Sequence, residues 1–169
     1  MPSSSLEGKE ETLEWIKSNT YMIKTILDVG AGEGTYANLL KDVDVEINAL
    51  EVWLPYIGKY DLLSKYKSVQ IADARQWTNW NYDLIIFGDI LEHMTKDEAV
   101  AIWKQASQEA KYAIISIPII HYPQGHEHGN PYEEHIKNDW TTEEVLETFS
   151  NIIKYDEYGT VGVFYAKFM

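Results

Sequence analysis

The chain has 169 residues, of which 45% are hydrophobic and 24% charged, the composition of one globular domain and not of a disordered segment. Its 27 acidic residues outnumber 14 basic ones, giving a formal charge of -13 that repels nucleic-acid backbones and anionic lipid, and no run of Lys and Arg offers a local exception. Cysteine is absent, which excludes disulfides, thiolate metal sites and a thiol nucleophile; with no signal-like start and no apolar run of membrane-spanning length, the expected setting is the cytoplasm.

After a polar, Ser-rich start, Leu6, Leu13, Trp15 and Ile16 stand among Glu and Lys in an amphipathic pattern that predicts a helix over residues 6–18. Lys24-Thr-Ile-Leu-Asp-Val-Gly30 reads as a buried strand running into a tight loop, and residues 35–41 as a helix. The alternation continues. Val45–Leu50 is strand-like, Trp53–Tyr66 mostly helical despite Pro55, Ser68–Ile71 a short strand and Asp83–Phe87 a buried one. A helix follows over 96–110, with Ala99, Ile102, Trp103 and Ala106 at helical spacing, and then the strand Tyr112–Ile117.

Strands alternating with helices predict an α/β fold with a doubly wound, mostly parallel sheet, in one domain spanning 1–169. Residues 118–140 break the rhythm with Pro118, Pro123, Gly125, Gly129, Pro131 and four histidines, and are expected to form a long substrate loop. Thr141 with Glu144 three residues on predicts a capping box and a helix ending near Ser150. Ile152–Tyr155 and Val161–Phe168, joined by a turn at Asp156–Gly159, are expected to be adjacent antiparallel strands.

Chemistry concentrates first at Asp28-Val-Gly30-Ala-Gly32-Glu-Gly34, where an acidic strand end is followed by glycine at every second position. Without side chains such a loop turns sharply and lets a nucleotide-like ligand lie on its backbone. A dinucleotide fingerprint needs glycine at position 35, which is Thr35, so pyrophosphate binding is disfavoured. Alternating glycines that merely brace a turn are the bland alternative, and aromatic residues nearby (Tyr36, Trp53, Trp77) are more simply core than adenine stackers.

In this loop, and in landmarks in the same order over nearly the whole chain, the sequence resembles the class I S-adenosylmethionine-dependent methyltransferase family. The resemblance implies a seven-stranded sheet with an antiparallel last strand, and S-adenosyl-L-methionine as cofactor. It implies that Asp28, Gly30, Gly32 and Gly34 form the cofactor loop. Glu51, with Val52 and Trp53 beside it, would hold the ribose hydroxyls, since a carboxylate can accept two charge-assisted hydrogen bonds from a cis-diol. Asp73, followed by Ala74, would meet the adenine amino group, and Gly88 and Asp89 would approach the methionine moiety or the substrate. Phe87-Gly-Asp-Ile-Leu-Glu-His93 matches a segment that lines the methyl-transfer site in many relatives, although Glu92 and His93 could equally be a helix start.

His121, His126, His128 and His135 crowd the 118–140 segment, and His121 or His126 is the expected proton acceptor for a hydroxyl. Metal binding by His126 and His128 around Glu127 is the weaker reading, no helical two-His spacing being present, and no metal is expected; a solvated loop with idle histidines is the bland one. Asn130-Pro131-Tyr132 resembles the Asn-Pro-Pro-Tyr motif of amino-directed methyltransferases but stands outside that motif's place after strand four, which favours oxygen as the acceptor atom. A small-molecule or sugar acceptor is expected, with no nucleic acid and no membrane partner. The rivals are an NAD-dependent oxidoreductase using the same loop, and a non-catalytic module that only binds S-adenosylmethionine.

Overall fold

The computed structural model describes residues 5–169; the first four residues of the Ser-rich start lie outside it. Seven strands form one sheet in the order β3-β2-β1-β4-β5-β7-β6: β1 (Thr25–Val29), β2 (Glu46–Glu51), β3 (Val69–Ile71), β4 (Leu84–Gly88), β5 (Tyr112–Pro118), β6 (Ile152–Tyr158) and β7 (Val161–Lys167). The first five strands run parallel, and β7 lies antiparallel between β5 and β6. The helices are α1 (Lys9–Ser18), α2 (Thr35–Leu39), α3 (Leu54–Lys59), α4 (Leu62–Lys65), α5 (Lys96–Glu109) and α6 (Thr142–Thr148). Among the described residues, no helix is long and apolar enough to cross a membrane.

The central strands are continuous apolar runs because both faces are covered. Alternate residues serve opposite layers. Leu27, Val29, Ile85, Phe87, Ala113 and Ile115 pack with Ala99, Ile102, Trp103 and Ala106 of α5 and with Trp140, Val145 and Phe149. Ile26, Leu84, Ile86 and Ile114 face the other way, onto Ile16 of α1, Ile23, Tyr36 and Leu40. A parallel sheet held this way offers its strand ends β1, β2 and β4, at Val29, Glu51 and Gly88, to one common edge, where ligands of open α/β sheets bind.

Local chemistry moved some boundaries. The expected helix over 53–66 is two short ones, α3 and α4, because Pro55 sits in the first turn of α3 and Asp61 takes a left-handed conformation (φ 51°) between them. β6 runs on to Tyr158, so the hairpin turn falls at Gly159, whose φ of 65° suits glycine, and not across Asp156–Gly159. At α6 only half of the capping box forms: Thr141 Oγ1 accepts from the Glu144 N–H, while the Glu144 carboxylate binds Lys96 and Lys137, each at 3.1 Å. The complete box is at α5, where Thr95 and Glu98 bond reciprocally.

Candidate functional site

The glycine loop follows from the backbone path after β1. Gly30, Gly32 and Gly34 have φ of 73°, 56° and 88°, a left-handed region that L side chains rarely adopt. At Gly30 space is short as well, since a Cβ there would stand 2.7 Å from Ile90 Cδ1. Glu51, at the end of β2 and buried, reaches across to this loop. Its Oε2 accepts from the Gly32 N–H at 2.8 Å and its Oε1 from the Trp53 N–H at 2.9 Å. Each oxygen keeps acceptor capacity for a second donor. Burial raises its carboxyl above the usual range, and the two N–H groups oppose that shift.

Asp28 lies beneath the loop, 1% exposed, and its Oδ2 accepts a 2.6 Å hydrogen bond from the Tyr66 hydroxyl. Burial pushes its carboxyl up to about 7, with the Tyr66 bond acting the other way. Between pH 4 and 7 the folded chain therefore retains a proton that the unfolded chain has released, so this group makes the protein less stable as pH rises through that window. Asp28→Asn keeps an acceptor for Tyr66 and removes the charge. The variant is expected to be the more stable protein at pH 8, by up to roughly 4 kcal/mol for a displacement of about three pH units, and to lose that advantage near pH 4. Urea midpoints at the two pH values check this.

β4 delivers Gly88 and Asp89 to the same edge. A Cβ on Gly88 would fall 2.3 Å from Tyr36 Cε2, so the buried Tyr36 ring packs directly against the backbone there. Asp89 is held at φ 52° while its N–H donates to the Ser116 carbonyl at 2.8 Å. A left-handed aspartate at a ligand-facing strand end is a strained position of the kind that clusters at functional sites. Lys9 of α1, itself 4% exposed, places its ammonium 5.0 Å from the Tyr36 ring centre and near Ser116 Oγ. Burial lowers its pKa while Asp89 and Asp28 oppose the shift.

The 118–140 segment is a folded-back connection with short 3-10 turns at Glu127–Gly129 and Pro131–Glu133. It is pinned along its length: Tyr122 N–H donates to the Asn138 carbonyl, His135 N–H to Gln124, Gln124 Nε2 to Glu133, and Lys137 N–H to the Glu92 carbonyl. The Tyr56 hydroxyl adds a 3.1 Å bond to Glu133 Oε1. Asn130, Tyr132 and Glu133 thereby close over a cleft whose other wall is Gly30, Gly32, Glu51, Val52, Gly88, Asp89 and His93. The cleft is narrow, with about 40 Å³ of it reachable by water. Asp89 also lines a second cavity, of about 180 Å³, together with Glu92, Pro118, Tyr122, Gln124 and His135.

The structure thus gathers most of the residues singled out in the sequence. Trp53 flanks the cleft with its ring 6.1 Å from that of Tyr132. Asp73 and Ala74 stand apart from the cleft lining: Asp73 caps a 3-10 turn that starts at Ala74 and holds Arg75, which also reaches Glu98. Trp77 spends its indole N–H on the Asn79 carbonyl, and Tyr36 is core. His121 and His126 are exposed and line neither cavity; His126 faces Glu134 at 3.7 Å. The buried imidazoles are His93, whose side chain is 7% exposed, and His135, and their ring centres lie 5.0 Å apart. Glu133 was not singled out from the sequence; His135 was noted there only within the histidine cluster and Tyr132 only within the Asn130-Pro131-Tyr132 motif, neither as a cleft residue.

No protein-family model matches the chain, and no curated protein matches it in sequence. Solved structures do match its fold. The N-terminal domain of EvdMO1, solved with SAH bound, is 14% identical, covers 97% of this chain and 82% of that one, and superposes with a TM-score of 0.69. Magnesium protoporphyrin IX methyltransferase from Synechocystis PCC 6803 with bound SAH is 14% identical over 94% of this chain and 81% of that one, at a TM-score of 0.72. An S-adenosylmethionine-dependent methyltransferase from Clostridium acetobutylicum ATCC 824 is 14% identical over 94% and 89%, also at a TM-score of 0.72. The chain has the Rossmann-like methyltransferase fold expected from the sequence.

Proposed function

We propose that this protein transfers a methyl group from S-adenosyl-L-methionine to an oxygen of a small-molecule or sugar acceptor. The observation that carries the reading is Glu51, a buried carboxylate fastened to the Gly32 and Trp53 N–H groups and facing a cleft walled by the glycine loop. Its remaining acceptor sites suit two ribose hydroxyls. Gly30 and Gly32 then form the floor, with Asp28 beneath them, Gly34 turning the chain into α2, and Val52 and Trp53 beside the ribose. Gly88 and Asp89 would meet the methionine end; for Asp73 and Ala74 to meet adenine, the base must reach beyond the cleft lining to a carboxylate that Arg75 holds.

Asp89 belongs both to this cleft and to the 180 Å³ cavity, which gives an acceptor a place next to the sulfonium end of the cofactor. In the reaction the acceptor oxygen forms a bond to the methyl carbon as the carbon–sulfur bond breaks; sulfur keeps the electron pair and the acceptor proton leaves. Alignment and exclusion of water supply most of the acceleration. Within the cavity the acceptor meets Glu92 and His135, with His93 behind them, so the proton-handling role proposed for the connection falls to this buried group ahead of the exposed His121 and His126.

The oxidoreductase reading is disfavoured by Thr35 and by the reversed β7 between β5 and β6, and the cavity beside Asp89 favours an enzyme over a binding module. The test is transfer of an isotopically labelled methyl group to a panel of hydroxyl, amine and carboxylate acceptors. Label on hydroxyl compounds supports the reading, and cofactor bound without turnover on any acceptor opposes it.

A further inference from the structure

Three side chains able to ligate a cation, two consecutive and one far along the chain, meet beside the second cavity. Glu92 and His93 are consecutive in the 3-10 turn after β4, and His135 returns to them from the long connection, so that one ligand atom of each lies within 4.8 Å of the others. We propose that Glu92, His93 and His135 bind a first-row divalent transition-metal ion.

The first support is the state of Glu92. It is 2% exposed, and its Oε2 has no hydrogen-bond partner, a costly condition for a buried carboxyl unless a proton or a cation faces it. The second is the orientation of both rings. His93 Nδ1 lies 3.1 Å from the Glu134 carbonyl, and His135 Nδ1 contacts the Tyr122 carbonyl. A carbonyl only accepts, so each Nδ1 carries the proton and each Nε2 presents a lone pair. Metal-binding histidines are commonly oriented this way, by donating the other ring N–H to a carbonyl.

One carboxylate and two imidazoles suit Mn, Fe, Co or Zn better than Mg or Ca, which prefer all-oxygen sets. The ligand atoms need only a small inward shift to reach an ion with bonds of about 2.1 Å. Three protein ligands leave coordination positions open toward the cavity lined by Glu92 and His135. If the methyl-transfer reading holds, those positions would take the acceptor oxygen, and the ion, by lowering the pKa of the hydroxyl, would replace these side chains as the means of removing its proton; binding of the ion itself does not depend on that reading. The site does not use the His126–His128 pair that sequence alone offered for a metal, both of which are exposed.

The experiment uses the full chain, stripped with a chelator and titrated with Co²⁺ alone, followed by visible absorption and calorimetry. One Co²⁺ per chain is expected. Glu92→Gln and His135→Ala should each weaken binding at least 30-fold, whereas His128→Asn, which tolerates the left-handed backbone at that position, should leave it unchanged. Binding of S-adenosylmethionine, measured alongside, reports folding and separates the two readings: cofactor bound with no Co²⁺ overturns the metal site and leaves methyl transfer standing. Should a ligand variant fail to fold, Co²⁺-shifted proton resonances of two imidazoles in the unaltered chain decide the matter, and their absence counts against the site. Co²⁺ binding that survives both ligand substitutions overturns it as well.

Discussion

Replacing Glu51 by Ala is expected to weaken binding of S-adenosylmethionine by at least 100-fold. A carboxylate accepting two hydroxyl donors loses two charge-assisted hydrogen bonds, each worth roughly 1.5–3 kcal/mol, and tenfold in affinity corresponds to about 1.4 kcal/mol. The substitution also frees the Gly32 and Trp53 N–H groups, whose bonds to Glu51 shape the loop, so some fold stability goes with it. Glu51→Gln separates these effects: one amide oxygen can retain one backbone bond and remove the charge, and its affinity should fall between the two. Calorimetry on both variants, with circular dichroism as the check on folding, gives the comparison. An affinity equal to that of the unaltered chain in a folded Glu51→Ala protein would remove the ribose role.

Gly88→Ala should be the most damaging single-methyl change at the site. The added carbon meets the Tyr36 ring at 2.3 Å, and that ring is 2% exposed, with Lys9 on one side and the core around it. Overpacking of a closed core costs about 1–3 kcal/mol, and the ring must move or the β4 end must shift with the adjoining Asp89. For a chain of this size about 3 kcal/mol corresponds to a fall of roughly 6–12 °C in Tm. Trimming the obstacle tests the cause: Gly88→Ala combined with Tyr36→Leu should recover part of the loss, and two penalties that simply add would refute the clash.

Parallel strands buried on both faces are legible in sequence because they cannot tolerate interruption, and Ile26–Val29, Leu84–Phe87 and Tyr112–Ile117 read as they fold. The glycine loop was legible for a related reason, since three left-handed positions in five residues demand glycine. The 118–140 segment was not. Its shape is set by bonds between groups far apart in the chain, such as His93 to Glu134 and Lys137 to Glu92, which leave no periodicity. Those bonds also fix His135 beside His93, a placement that the proline, glycine and histidine content of the segment cannot show. Glu144 shows the same limit on a small scale: spacing selected it for a capping box, and two lysines from other elements took its carboxylate instead.

Which cofactor the glycine loop receives decides the function. Titration calorimetry of the unaltered chain with S-adenosylmethionine, S-adenosylhomocysteine and NAD, under one buffer, asks this directly. One site per chain is expected for each of the two adenosyl compounds, with no measurable binding of NAD. Binding of NAD in preference to both adenosyl compounds would contradict this expectation.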